Sequence, residues 1–175
     1  KPFNESEITA IINELEGNDK NLIMLAFETG LRTSELIGLN WDDIDYEQNR
    51  LYVRRAIVYR KEKTPKTRSG IRTVELTLKA ISALKTQRAL VPTDNEAVFF
   101  DTKNEARLSD NVIRKRIWIP ALKKAGVTYR SPYQTRHTFA SKRLSEGKPL
   151  IWVSTQMGHS DLVTTSKKYA RWIET

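Results

Sequence analysis

Glycines cut this chain into helical lengths, and that punctuation limits its fold more than any other feature. Asn4 and Glu7 stand at capping-box spacing, and Ile8, Ile11, Ile12 and Leu15 follow on one helix face up to Gly17. Residues 21–28 are apolar nearly all round and read as a buried helix closed by Gly30. Thr33 is placed to cap a short helix over 34–39. Further helices are predicted over 77–90, over 108–125 with Ser109 or Asp110 as cap and Gly126 as stop, and over 132–145 ending at Gly147. Two more follow, over 149–157 ending at Gly158 and over 161–172 capped by Asp161. Pro120 should kink or split the 108–125 helix, because it lacks an N–H and its ring crowds the preceding turn.

One interval breaks the rhythm. Residues 51–59 are rich in Val, Ile and Tyr, residues 61–70 form a basic loop containing Pro65 and Gly70, and residues 71–76 read as a returning strand. Residues 98–100 are a short apolar run, either strand or loop. Residues 42–49 read as a polar turn. Asp43, Asp45, Glu47 and Asn49 alternate like the start of a calcium loop, but the glycine is missing and the twelfth position is Arg54, which excludes it. The expected fold is α+β and mostly helical, with about seven helices packed around a small antiparallel three-stranded sheet, in one domain over 1–175. Leu36, Phe139, Leu144, Ile151 and Trp152 are assigned to the core.

Charge narrows the partner. The net charge is +9, yet residues 1–49 hold 3 Lys/Arg against 11 Asp/Glu, and residues 50–175 hold 27 against 10. A basic body behind an acidic start suits a polyanion, most commonly nucleic acid; a merely solvated basic surface is the plain alternative. No cysteine is present, so no disulfide or thiolate metal site exists. No apolar run approaches a membrane span and no signal peptide opens the chain, so a cytoplasmic protein without membrane contact is expected. Its first residue is Lys1 and not Met, as in a fragment of a longer protein.

The chemistry concentrates in residues 132–140, where Tyr133, Arg136 and His137 fall within five positions at a helix start. Arg and His are poor core residues unless paired. Arg32, Lys66, His159 and Tyr169 stand at other helix ends or in loops. Two guanidinium forks match the oxygens of one phosphodiester. A lysine or histidine can protonate a leaving alkoxide, and a tyrosine hydroxyl can attack phosphorus. Only ~10⁻³ of an ordinary tyrosine is ionised at neutral pH, so a base or strong positive charge is required. No carboxylate cluster suited to two metal ions is seen, which fits a reaction without metal or other cofactor.

These residues carry a resemblance. Thr29-Gly30-Leu31-Arg32-Thr33-Ser34-Glu35-Leu36 resembles the first arginine box of the tyrosine recombinase (phage integrase) catalytic domain. Gln134-Thr135-Arg136-His137-Thr138-Phe139-Ala140 resembles the second box, and Met157-Gly158-His159 with Tyr169 ten residues on resembles the histidine and nucleophile segment. Lys66-Thr67 stands where the family keeps its hairpin lysine. The resemblance covers essentially all 175 residues in order. It implies that Arg32 and Arg136 grip the scissile phosphate, with Lys66 as general acid for the 5′-hydroxyl and Lys61 or Lys63 as alternatives. His159 would contact the phosphate or assist proton transfer. Tyr169 would be the nucleophile, leaving a 3′-phosphotyrosyl link. Glu35 would orient an arginine or His137, and His137 itself would be a structural hydrogen-bonder.

The resemblance further implies a site-specific recombinase or integrase of phage or mobile-element DNA. It would act on double-stranded DNA as a homotetramer on paired sites, with N-terminal DNA-binding domains outside this chain. The chain ends six residues after Tyr169, so the exchanged C-terminal segment is short or absent and this chain is expected to be monomeric. The family places a histidine three residues before the second arginine, where Tyr133 stands here. A phenol donates to a phosphate oxygen but is no proton shuttle near neutral pH, so Tyr133 is expected to position the phosphate. A type IB topoisomerase-like strand transferase and a non-catalytic DNA-binding module remain as rivals. Arg54, Arg55, Arg114 and Lys115 are left open as phosphate contacts or plain surface.

Overall fold

The computed structural model describes residues 1–64 and 70–172. Helices α1 (Glu5–Asn13), α2 (Gly17–Thr29) and α3 (Thr33–Ile37) come first, then a 3₁₀ turn at Trp41–Asp43. Strands β1 (Ile44–Asp45), β2 (Arg50–Val53), β3 (Ala56–Val58), β4 (Lys61–Lys63) and β5 (Arg72–Glu75) follow. After α4 (Leu78–Leu90) come β6 (Phe100–Asp101) and β7 (Ala106–Arg107). A long helix then runs from α5 (Asp110–Val112) through a π-helical stretch, Ile113–Trp118, into α6 (Ile119–Lys124). Helices α7 (Gln134–Ser145), α8 (Leu150–Met157) and α9 (Leu162–Tyr169) complete the chain, with a final 3₁₀ turn at Ala170–Trp172.

The expected mostly helical α+β fold with a three-stranded antiparallel sheet is present, in the order β1-β2-β5. Leu51 faces Ile44 on one side and Val74 on the other, and Leu51, Val53 and Val74 are buried. The third strand, β1, comes from the segment predicted as a polar turn. The strand predicted over 51–59 is two strands in two sheets, because the chain turns at Arg54 and Arg55. Both guanidinium groups reach the buried carboxylate of Asp43, at 3.2 and 2.6 Å. Beyond that turn β3 pairs with β4 as a separate two-stranded ribbon among the described residues.

Local signals set most helix ends. Asn4 accepts from Glu7 N at 2.9 Å and Glu7 accepts from Asn4 N at 3.0 Å, the expected capping box. Gly17 opens α2 and does not close α1. Arg32, not Thr33, is the cap of α3, its N–H donating to Glu35 at 2.8 Å. Pro120 stands in the first turn of α6, where the π-helical stretch gives way to α-helix. Ile119 N–H bonds back five residues to Arg114 O, and that one wide turn makes room for the ring and its missing donor.

Two apolar clusters result. The larger surrounds α2, where Phe3, Phe27 and Trp118 meet with ring centroids 5.7–6.2 Å apart. The smaller joins α7, α8 and α9 through Phe139, Ala140, Leu144, Val153, Met157 and Tyr169. Ile151, expected in the core, is 62% exposed, and Trp152 is half-buried beside Phe139, its indole N–H donating to Glu75 at 3.2 Å. At 149–157 the apolar residues outnumber the places facing α7.

Gly30 joins the clusters. It ends α2 with φ +65°, and a Cβ there would lie 2.5 Å from Cδ1 of Phe139. Gly30→Ala should therefore cost about 2–4 kcal/mol in urea denaturation, combining left-handed strain with overpacking. A loss below about 1 kcal/mol would contradict this seam between α2 and α7.

Candidate active site

Arg136, in the first turn of α7, points into the seam and is 1% exposed. Its Nη1 donates to the carbonyl of Gly30 at 2.7 Å and its Nη2 to the carbonyl of Met157. Both carbonyls end helices, α2 and α8, which glycines close in the left-handed conformation at Gly30 and Gly158. Helix C-termini carry partial negative charge, so they hold a buried cation well. Its Nε has no hydrogen-bond partner among the described residues. Burial, then the nearby charge of Arg32, brings Arg136 down to about 10, so it remains cationic at neutral pH. Arg32 and His159 each stand just beyond one of the two helix ends that it grips.

Glu35 fixes the other arginine. Its carboxylate accepts from Arg32 Nη1 at 2.8 Å and takes a two-pronged grip from Arg72, 3.0 Å to each oxygen. Arg72 Nε also donates to Gln156 O at 2.7 Å, tying β5 to the end of α8. Burial opposes ionisation of Glu35, but the hydrogen bonds and charge of Arg72, with help from Arg32, hold its pKa at about 2. The carboxylate of Glu35 is thus shared between Arg32 and Arg72. Arg32 keeps a 40% exposed side chain, free to face a ligand.

The two histidines of the chain both lie in this cluster. His159 Nδ1 sits 2.6 Å from the Thr165 hydroxyl, which donates to Ser154 at 3.1 Å. Burial, then the charges of Arg136 and Arg32, pushes His159 down to about 4. His137 Nδ1 lies 2.8 Å from the Tyr169 hydroxyl. Burial, then Lys168 and Arg136, pushes His137 to about 4 as well. Tyr169 is 1% exposed, and burial raises its pKa strongly despite Arg136. Tyr133 is 45% exposed, stands edge-on to His137 at 5.1 Å, and carries Lys168 over its ring at 5.3 Å. Burial opposes its ionisation, but Arg136 and Lys168 outweigh it and lower its pKa.

Arg32, Glu35, Tyr133, Arg136, His137, His159 and Tyr169 are therefore brought together. Lys66 lies outside the described residues, and Lys61 and Lys63 are exposed on β4. Sequence reasoning missed Arg72 and Lys168. Arg72 left a trace: it shares the inward face of β5 with Val74, where a charge requires a buried partner. Lys168 left none, since a lysine beside Tyr169 reads as solvated surface. Beside the cluster opens a groove of about 470 Å³ whose lining includes Thr33, Tyr59, Arg60, Asn111, Arg114 and Tyr133. Among the described residues no three His, Asp or Glu side chains are grouped to hold a metal ion.

Glu35→Gln removes the counter-charge of a buried arginine and should destabilise by about 3–5 kcal/mol in chemical denaturation. The folded pKa of Glu35 lies below its unfolded value of 4.5. Its stabilisation is therefore complete above the unfolded pKa and is lost as pH falls towards about 2, by about 3 kcal/mol in total. The variant should lack that part of the acid-induced loss; an unchanged pH–stability curve would disprove the arrangement.

Residues 1–174 match the phage integrase family. The chain is 32% identical to "Prophage integrase IntR" of Escherichia coli K12 over 99% of its own length and 48% of that protein. It is 35% identical to "Tyrosine recombinase XerC-like" of Caldanaerobacter subterraneus, over 98% of itself and 50% of that protein. The chain thus spans about half the length of these relatives. Its fold is that of the Tn1549 transposon integrase, solved in complex with circular intermediate DNA. The TM-score is 0.85 at 21% identity, over 97% of this chain and 62% of that one. No helix among the described residues is long and apolar enough to cross a membrane. The two arginine boxes and the histidine–tyrosine segment converge on one cluster, the fold is shared, and the match runs from end to end; the chain belongs to the phage integrase family.

Proposed function

We propose that this domain cleaves and rejoins one strand of duplex DNA at a time, as the catalytic part of a site-specific recombinase of phage or mobile-element DNA. The observation that carries this reading is Arg136, a buried guanidinium whose Nε has no partner among the described residues, with Arg32 and His159 beside it. A cation whose two hydrogen-bonded donors meet only carbonyl dipoles, pressed by a second arginine while the nearby Glu35 is taken up by Arg32 and Arg72, gains most from an anion. A phosphodiester fits: its two non-bridging oxygens meet Arg136 and Arg32, which also stabilise the added charge of a pentavalent transition state. His159 donates to the same phosphate, because an anion there opposes the charges of Arg136 and Arg32 that, after burial, keep the ring neutral.

Tyr169 attacks phosphorus, forming a 3′-phosphotyrosyl link while the P–O5′ bond breaks. Lys66 is the proposed proton donor to the departing 5′-oxygen. Rejoining by the 5′-hydroxyl of a partner duplex reverses the step, and the bond energy is conserved. Tyr133, under Lys168 and beside Arg136, positions the phosphate. The groove bearing Arg60 and Arg114 takes the flanking backbone. Arg54 and Arg55, bound to Asp43, are framework residues. In the full-length protein four copies hold two duplexes, with further domains outside this chain. The names of the relatives, a prophage integrase and a tyrosine recombinase, support this reading.

The test is a nicked suicide duplex, recovered from a randomised pool by covalent capture with the full-length protein, run on a denaturing gel. Wild-type protein should leave a covalent band that Tyr169→Phe abolishes. Arg136→Ala should slow its formation by about 10²–10³-fold. Tyr133→Phe should slow it about tenfold, the worth of one hydrogen bond to a charged partner; a rate equal to wild type would remove Tyr133 from the site. Salt-sensitive binding without any band would favour a binding module. Relaxation of supercoiled plasmid without strand exchange would favour a topoisomerase.

A further inference from the structure

We infer that His137 is the general base of the cleavage step, accepting the phenolic proton of Tyr169 at Nδ1. The inference rests on the strand-cleavage reading above and supplies a proton acceptor that the reading lacks. Tyr133 carries Lys168 over its ring and stands edge-on to His137. Both histidines lie in the cluster, but they do different things. His159 Nδ1 is taken up by Thr165, on α9 one turn before Tyr169. His137 Nδ1 is the atom at the nucleophile, 2.8 Å from its oxygen. That distance is within direct proton-transfer reach.

The surroundings hold this pair in register. His137 lies one residue beyond Arg136 on α7, so the base and the phosphate grip share one rigid turn. Tyr133 packs edge-on against the imidazole from the other side, and the Tyr169 ring packs against Trp172. The charged and titratable groups acting on His137 are Lys168 from α9, Arg136 from α7 and the amino group of Lys1, with the phenols of Tyr133 and Tyr169 in contact.

Those cations, after burial, keep the imidazole neutral, so its Nδ1 lone pair is available in the tautomer protonated at Nε2. A neutral ring so depressed is a weak base for a buried phenol, and bound substrate offsets the part of the depression that the cations cause. A phosphodiester bound to Arg136 brings negative charge beside the same cations, raising the basicity of His137 as the reaction begins. In the step, the Tyr169 O–H bond breaks and its proton passes to Nδ1. The Tyr169 O–P bond forms, the P–O5′ bond breaks, and the 5′-oxygen leaves with a proton from the general acid. His137 returns its proton to Tyr169 on rejoining.

The experiment uses the full-length protein and the captured nicked duplex, measuring single-turnover formation of the covalent band. His137→Asn keeps a hydrogen-bonding amide near the place of Nδ1 but cannot take a proton; it should cleave about 10²-fold slower or worse while binding the duplex normally. The wild-type rate should rise with pH along a limb that His137→Asn lacks. Imidazole added to His137→Ala should restore part of the rate. A duplex with sulfur in place of the leaving 5′-oxygen needs no proton at the leaving group. It should rescue a variant lacking the general acid but not His137→Asn.

A His137→Asn rate within about threefold of wild type would overturn the inference and leave the cleavage reading standing. Cleavage faster than wild type would do the same, marking the pair as a latch on Tyr169. Full rescue by the sulfur duplex would overturn it by placing His137 at the leaving group. Absence of any covalent product with wild-type protein would overturn the cleavage reading and this inference with it.

Discussion

The structure depends on one buried guanidinium. Burying an arginine costs several kcal/mol unless its donors are met, and Arg136 meets two of them with the carbonyls that end α2 and α8. Those carbonyls are free because Gly30 and Gly158 stop their helices in the left-handed conformation. One side chain thus fixes three helices at a point, and the residues just beyond each stop are delivered to that point. The same geometry leaves Nε without a protein partner among the described residues. Stability and the proposed anion affinity therefore come from one arrangement.

The second arginine is held by a different device. Glu35 sits between Arg32 and Arg72, and Arg72 is anchored to the end of α8 through Gln156. The carboxylate neutralises the buried Arg72 and steers the half-exposed Arg32. A change at β5 would therefore be felt at Arg32 without touching it. This network and the Arg136 grip both meet the last turn of α8, which makes that turn the common support of the site.

Tyr169, the proposed nucleophile, is packed differently from Arg136. Tyr169 belongs to the smaller apolar cluster, and its hydroxyl is met by His137. Burial makes its phenol harder to ionise, while Tyr133, with Arg136 and Lys168 around it, becomes easier to ionise. A phosphodiester brought to Arg136 offsets the cations that act on both histidines. In the proposed reaction, proton transfer and substrate binding are linked through that shared charge.

Much of this was legible in the residues. The Asn4–Glu7 box, the stops at Gly30 and Gly158, the Asp161 cap and the apolar surround of α2 are local matters, set by short-range hydrogen bonds and periodicity. The order of the arginine, histidine and tyrosine segments was legible as a pattern. Only the tertiary structure decided the rest. Residues 51–59 look like one strand until Asp43 claims Arg54 and Arg55 from a distant turn. Ile151 looks like core until α8 turns that face outward. Arg72 and Lys168 gain meaning only from Glu35 and Tyr133, and His137 from Tyr169, each partner being far along the chain or on another face. Sequence determines what a residue can do with its near neighbours; burial and charge pairing across elements depend on packing, and packing chose which of these groups meet.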